Sequence, residues 1–172
     1  ETRLADGDRP IELVVNNAGF GTMGHFKDLP IVREVQEIAL NVVALTRLTH
    51  AALPNMLERR TGGVINVSSI AAFQPTPGNA TYGATKAFVS SPSQGVHEEL
   101  RGTGVNVMAL CPGFTRTEFQ ARAGIDSTDV PDFLWQEAST VVDYAMKAFG
   151  KGKAVCVPGP LNQATAGFSA TV

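Results

Sequence analysis

Tyr82 and Lys86 stand four residues apart, with Ser69 thirteen residues before the tyrosine and Asn41 earlier still. A phenol ordinarily titrates near ~10, too high to trade protons readily at neutral pH. On a helix, an ammonium at i+4 shares a face with the phenol and can approach its ring from one side. Two charges ~5 Å apart in a half-buried setting of effective dielectric ~20 interact by roughly 3 kcal/mol, about two pK units. The spacing therefore predicts a tyrosine tuned to act as acid or base. Ser69, at the end of a predicted strand, can hydrogen-bond a substrate oxygen beside it. Alone, Tyr-x-x-x-Lys also occurs on many solvated helix surfaces, so its meaning depends on the elements that carry it.

Those elements alternate. Ile11 to Asn17 is a short apolar, β-branched run bounded by Pro10 and Gly19, and reads as a strand. Val32, Val35, Ile38, Ala39, Val42, Leu45 and Leu48 recur at helical spacing, which predicts a long helix, bent or broken near Pro54. Val64 to Ser69 is a second strand. Thr81 to Arg101 is the helix bearing Tyr82 and Lys86. Val105, Val107 and Ala109 mark a third strand, stopped by Pro112-Gly113. Thr140 to Phe149 reads as a helix with Gly150 just past its end, and Ala154 to Val157 as a fourth strand stopped by Pro158. Alternation of this kind implies a parallel sheet with right-handed crossovers. Residues 1 to 160 form the expected domain, and 161 to 172, small and polar around Leu161 and Phe168, a weakly ordered tail.

Five segments then fall in register: Asn16-Asn17-Ala18-Gly19, Asn41, Gly63 through Ser69, Tyr82-Gly83-Ala84-Thr85-Lys86, and Pro112-Gly113-Phe114-Thr115-Arg116-Thr117. In order and spacing, over roughly residues 10 to 158, the chain resembles the short-chain dehydrogenase/reductase family. The resemblance implies an α/β, Rossmann-like, doubly wound parallel sheet. It also implies an oxidoreductase moving hydride between NAD or NADP and a small carbonyl or secondary alcohol substrate. Tyr82 would pass a proton to or from the substrate oxygen, and Ser69 would orient that oxygen. Lys86 would lower the phenol and bind the nicotinamide ribose, and Asn41 would anchor a water linking Lys86 to solvent. Asn16, Ala18 and Gly19 would border the cofactor, and Pro112, Gly113, Thr115 and Thr117 its nicotinamide end. Ser68 reads as a strand-end hydroxyl. Phe114 to Trp135, with Phe119, Phe133 and Leu134, is either an apolar lid over the substrate or ordinary packing.

The family opens with a strand, a Thr-Gly-x-x-x-Gly-x-Gly turn and a helix that carry the pyrophosphate, and these have no counterpart here. About three strands and three helices would lie upstream, so an incomplete sheet of about four strands and a fragment of a longer enzyme are expected. Gly19-Phe20-Gly21-Thr22-Met23-Gly24 matches G-x-G-x-x-G after a strand, but no helix opens at once and Pro30 interrupts, so a glycine-rich loop is the better reading. The rivals are a non-catalytic fragment or scaffold unable to hold cofactor, and an epimerase or dehydratase of the same superfamily. The Asn-Asn-Ala-Gly and Pro-Gly-x-x-x-Thr wording favours the dehydrogenase branch.

The 172 residues, 44% hydrophobic and 17% charged, suit a single folded domain. A formal net charge of −2 offers no basic stripe, which argues against nucleic acid. No apolar run approaches the ~20 residues that span a bilayer, and a cytoplasmic location is expected. Cys111 and Cys156 end apolar runs as buried thiols, and no Cys/His cluster has metal-ligand spacing. Pro92 inside the Tyr82 helix removes a donor and clashes with the Phe88 carbonyl, at ~3 kcal/mol. A break there is expected, which puts in doubt the surface by which such enzymes pair as homo-oligomers.

Overall fold

The β-branched run after Pro10 forms β1 (Leu13–Asn16) in the computed structural model of the chain, which describes residues 1–4, 6–119 and 130–169. There follow α1 (Ile31–Ile38), a π-helical stretch (Ala39–Ala44), α2 (Leu45–Arg59), β2 (Gly62–Val67), α3 (Ala80–Glu99) and β3 (Val105–Leu110). Short β4 (Thr115–Arg116) and β5 (Gln136–Glu137) pair with each other, and α4 (Ala138–Gly150), β6 (Val155–Cys156) and α5 (Pro160–Ser169) complete the described elements.

β1, β2, β3 and β6 form one parallel sheet in that order, as the alternation of strands and helices requires. Successive strand residues point to opposite faces, so Val64, Val105 and Val107 pack with Ala52 and Met56 of α2 and with Leu100. Ile65, Met108, Leu110 and Cys156 pack instead with Val141 and Ala145 of α4. Burial on both faces explains the nearly unbroken apolar runs of β2 and β3. Register aligns Asn16 with Asn66 and Val67 with Leu110. The segments after β1, β2 and β3 therefore leave from one edge, the carboxyl end of the sheet, where ligands of open α/β sheets bind.

Three expectations need correction. The long helix is continuous past Pro54, which lies within α2, and its irregularity is the π-helical stretch upstream. Helix α3 is likewise unbroken at Pro92. Its inward residues Lys86, Val89, Ser90 and Ser93 are buried while Pro92 is exposed. The Ser93 hydroxyl donates to the Val89 carbonyl at 2.6 Å and the Gln94 side-chain Nε2 to the Ser90 carbonyl at 3.2 Å. Packing of that face outweighs the proline's cost of ~3 kcal/mol. Finally, of the segment 161–172 read as a weakly ordered tail, the part up to Ser169 belongs to a helix that starts at Pro160, and 170–172 lie outside the described residues. Pro160 suits a first helical position after Gly159 (φ 85°), and the Asn162 amide donates to the Pro158 carbonyl at 2.8 Å and to Gln136 at 3.0 Å.

Because the helix is intact around it, Pro92→Ala should raise the stability of the intact protein by about 1–2 kcal/mol, part of the proline penalty being offset by a more flexible unfolded chain. Urea denaturation reads this directly. A fall in stability would mean that the proline is held by contacts other than those described.

Candidate active site

Helix α3 places Tyr82 and Lys86 on successive turns of one face. Lys86 is 5% exposed, its Nζ donates to the Val67 carbonyl at 2.8 Å, and it stands 5.4 Å from the centroid of the Tyr82 ring. The Ser68 hydroxyl donates to the Lys86 carbonyl at 2.7 Å and pairs with the Ser90 hydroxyl at 2.8 Å, which ties the end of β2 to this turn of α3. Ser69 caps the short 3-10 turn Ile70–Phe73, accepting from the Ala71 amide at 3.1 Å, and its hydroxyl acts on the Tyr82 phenol to lower its proton affinity. The structure thus brings Ser69, Tyr82 and Lys86 together.

The phenol's proton affinity runs opposite to the sequence expectation. Burial pushes Tyr82 up to about 12; the Ser69 hydroxyl opposes this, and the charge of Glu37 adds to it. Burial also brings Lys86 down to about 8, against the opposing charges of Cys111 and Glu37. The ammonium is turned to the Val67 carbonyl, and desolvation decides the phenol's behaviour.

Sequence reasoning named Asn41 and missed the two carboxyl groups that hold the site with it. Glu34, Glu37 and Asn41 lie at i, i+3 and i+7 on one buried helical face, 3%, 0% and 1% exposed. Asn41 Oδ1 accepts from the Phe20 amide at 3.1 Å, and its Nδ2 donates to the Phe20 carbonyl at 2.8 Å and to the Thr85 hydroxyl at 3.1 Å. Glu37 Oε2 accepts from the Thr22 amide at 3.1 Å, and Glu34 Oε1 accepts from the Thr22 hydroxyl at 2.6 Å. Thr81 of α3 donates to the other oxygen of Glu34. This face clamps the glycine-rich loop onto α3. A Cβ on Gly19 would lie 2.9 Å from Asn41 Oδ1 and 3.6 Å from Lys86 Nζ, and one on Gly21 would lie 2.9 Å from Tyr82 Cδ2. The glycines are needed for close approach to Tyr82 and Lys86. As expected, no helix opens at this loop: a 3-10 turn (Phe26–Asp28) and then α1 follow. The available signal was two acidic residues set at helical spacing before Asn41 in an otherwise apolar pattern.

Segment 112–119 borders the other side. The Pro112 carbonyl accepts from the Ile70 amide at 3.0 Å, and Gly113 lies so close to Asn162 that a Cβ would sit 2.6 Å from Nδ2. The Thr115 hydroxyl donates to the Gly113 carbonyl at 3.1 Å, and that of Thr117 accepts from the Phe119 amide at 3.2 Å. The Phe119 ring is 5.7 Å from that of Tyr82. Of the segment read as a lid, residues 120–129 lie outside the described residues. Phe133 is 76% exposed, and Trp135 packs on Phe114 with the Arg116 guanidinium over its ring. Asn16 turns away from this region: its amide donates to Thr49 at 3.1 Å and Asn66 at 2.8 Å, in a buried network that continues to Ser93. Ala18 is exposed beside the same sheet edge. Cys111 and Cys156 are free and buried, and the described residues contain no cluster suited to a metal ion. No described helix is long and apolar enough to cross a membrane.

A parallel sheet with a serine, a tyrosine and a lysine converging at its carboxyl edge defines a Rossmann-like α/β domain. The family model for short chain dehydrogenase matches residues 3–127, and the chain belongs to that family. It is 42% identical over 118 residues to a serine 3-dehydrogenase from Rhizobium radiobacter, covering 67% of this chain and 47% of that protein. It is 41% identical over 111 residues to an oxidoreductase from Myxococcus xanthus, covering 64% and 44%. The chain therefore spans about half the length of the curated relatives it matches. Among solved structures, a short-chain dehydrogenase from Sphingobium yanoikuyae in complex with NADPH superposes with a TM-score of 0.85 at 36% identity, covering 99% of this chain and 69% of that one. A bulky-bulky ketone specific alcohol dehydrogenase from Comamonas testosteroni gives 0.78 at 31%, covering 99% and 67%.

Burial raises the Glu37 carboxyl from 4.5 to about 7, with Thr22 opposing. Below about 4.5 the group is protonated in both folded and unfolded chains and contributes no pH dependence. Between about 4.5 and 7 only the unfolded chain releases the proton, so stability falls as pH rises, by at most roughly 3 kcal/mol. Urea denaturation between pH 5 and 7.5 should show this slope in the intact protein and a flatter one in Glu37→Gln. An equal slope in both would exclude a carboxyl that ionises late.

Proposed function

We propose that the chain carries the proton-transfer half of a NAD- or NADP-dependent oxidoreductase acting on a small carbonyl or secondary alcohol. The observation that carries this reading is the meeting of the Tyr82 phenol with Ser69 and Lys86 at the carboxyl edge of the sheet, in a chain of this family. The NADPH held by the Sphingobium relative supports the cofactor class. Ala18 and Gly19 on one side and Pro112, Gly113, Thr115 and Thr117 on the other fit a nicotinamide group, because they follow β1 and β3 and flank Ser69 after β2, with Lys86 of α3 reaching the Gly19 side. Asn16 fits only as support beneath them, its carboxamide being committed to Thr49 and Asn66. The cofactor, when bound, supplies or accepts the hydride.

The chain's own residues handle the proton. A phenol near 12 keeps its proton at neutral pH, so Tyr82 holds the proton to be transferred, and the Ser69 hydroxyl, which lowers that affinity, acts in the direction of donation to a carbonyl oxygen. Ser69 orients that oxygen beside it. Lys86 carries a positive charge where the cofactor ribose would lie, and Asn41 keeps loop and helix in register around both. The relatives' names range from serine to bulky ketones, which supports a substrate class and no single substrate. The exposed apolar residues Ile31, Val32 and Val35 of α1 support assembly of the protein as a homo-oligomer.

In the intact protein, Tyr82→Phe should cut kcat for NAD(P)H-dependent ketone reduction at least ~100-fold and leave cofactor binding in place, since only the proton donor is lost. Retention of more than about a tenth of the wild-type kcat would remove Tyr82 from catalysis. Lys86→Ala should weaken cofactor affinity more than Ser69→Ala in a titration of nicotinamide fluorescence. Equal affinities would contradict a ribose-binding lysine.

A further inference from the structure

Glu37 is enclosed completely, and while its Oε2 is bonded to Thr22, its Oε1 has no hydrogen-bond partner among the described residues. A carboxyl oxygen left unpaired inside a protein is costly unless a nearby charge or a polar neighbour compensates it. Lys86 presents the converse case. Its ammonium is buried, bonded to the Val67 carbonyl, and forms no ion pair among the described residues. The two groups meet one short loop from different elements: Glu37 of α1 accepts from the Thr22 amide at 3.1 Å, and a Cβ on Gly19, three residues earlier, would lie 3.6 Å from Nζ of Lys86 on α3.

We propose that Glu37 is the countercharge of Lys86: a positioning residue that keeps the ammonium protonated, acting on the Tyr82 site through the lysine. The charged and titratable groups that bear on the pair are Glu34 on the same helix, Tyr82 on α3 and Cys111 at the end of β3. The electrostatics have the required signs. Lys86 favours the ionised form of Glu37, and Glu37 favours the charged form of Lys86 and disfavours an ionised Tyr82. Glu37 ionises at about 7 and Lys86 loses its proton at about 8, so the carboxylate is present where the ammonium would otherwise be lost. Only the catalytic consequence depends on the oxidoreductase reading; the coupling is a property of the fold.

The test is an NMR titration of the intact protein, without added cofactor, following lysine Cε and glutamate Cδ. Glu37→Gln keeps the acceptor for Thr22 and should move the Lys86 midpoint down by about half a pH unit or more. Reciprocally, Lys86→Met should move the Glu37 midpoint up, and Glu37→Asp should leave Lys86 near its wild-type value. Absence of the reciprocal shift in either variant overturns the proposal, and the Lys86→Met arm decides it if Glu37→Gln fails to fold. In turnover, Glu37→Gln should shift the alkaline limb of the kcat profile downward, whereas loss of a purely structural clamp would lower its height in place. Coupled titrations together with an active Tyr82→Phe enzyme would leave the countercharge standing and remove the catalytic reading alone.

Discussion

A carboxamide and two carboxyl groups buried on one helical face fasten a glycine-rich loop to the helix that carries Tyr82 and Lys86. Asn41 grips both the amide and the carbonyl of Phe20 while reaching Thr85, and Glu37 and Glu34 share Thr22. Charge-assisted bonds of this kind contribute roughly 1.5–3 kcal/mol each when made, and losing one partner leaves a buried charge. The helix consequently turns its polar face inward. Ile31, Val32, Val35 and Ile38 are exposed, 42% or more, while Glu34 and Glu37 are buried. The apolar periodicity that predicts the helix thus marks its outer surface. Asn41 sits in the π-helical stretch, a backbone irregularity often found at functional sites.

A second polar constraint sets the floor of the site. Asn16 and Asn66, neighbours across β1 and β2, bond to each other, to Thr49 of α2 and to Ser93 of α3. Such a satisfied network ties two strands and two helices into one arrangement, where apolar packing alone would tolerate sliding. Ser68 and Ser90 repeat the device one turn nearer the site. The position of Tyr82 is therefore fixed from below by strand-end hydroxyls and amides, and from the side by the loop.

The strands and their order were legible because β-branched runs bounded by proline and glycine have few other structures open to them, and alternation with helices leaves a parallel sheet. Ser69, Tyr82 and Lys86 were legible because spacing along a helix and at a strand end is local. What the sequence concealed depends on tertiary context. Pro92 reads as a break until the buried face of Val89, Ser90 and Ser93 is weighed against it. The face of α1 cannot be read from periodicity when the inward partners are a loop's amide and hydroxyl. The Tyr82 shift depends on desolvation, which i,i+4 spacing does not report. Asn16 belongs to a motif, but its side chain serves the network below the site.

Amide hydrogen exchange in the intact protein tests most directly whether the polar face holds the loop. The Phe20 and Thr22 amides donate to side chains, not to a sheet or helix. If Asn41 and Glu37 clamp the loop as described, both amides should exchange at least about a thousandfold slower than free peptide amides. Asn41→Ala should release Phe20 in particular. Exchange within about tenfold of a free peptide at both positions would contradict a fastened loop, and with it the account of how Tyr82 and Lys86 are held.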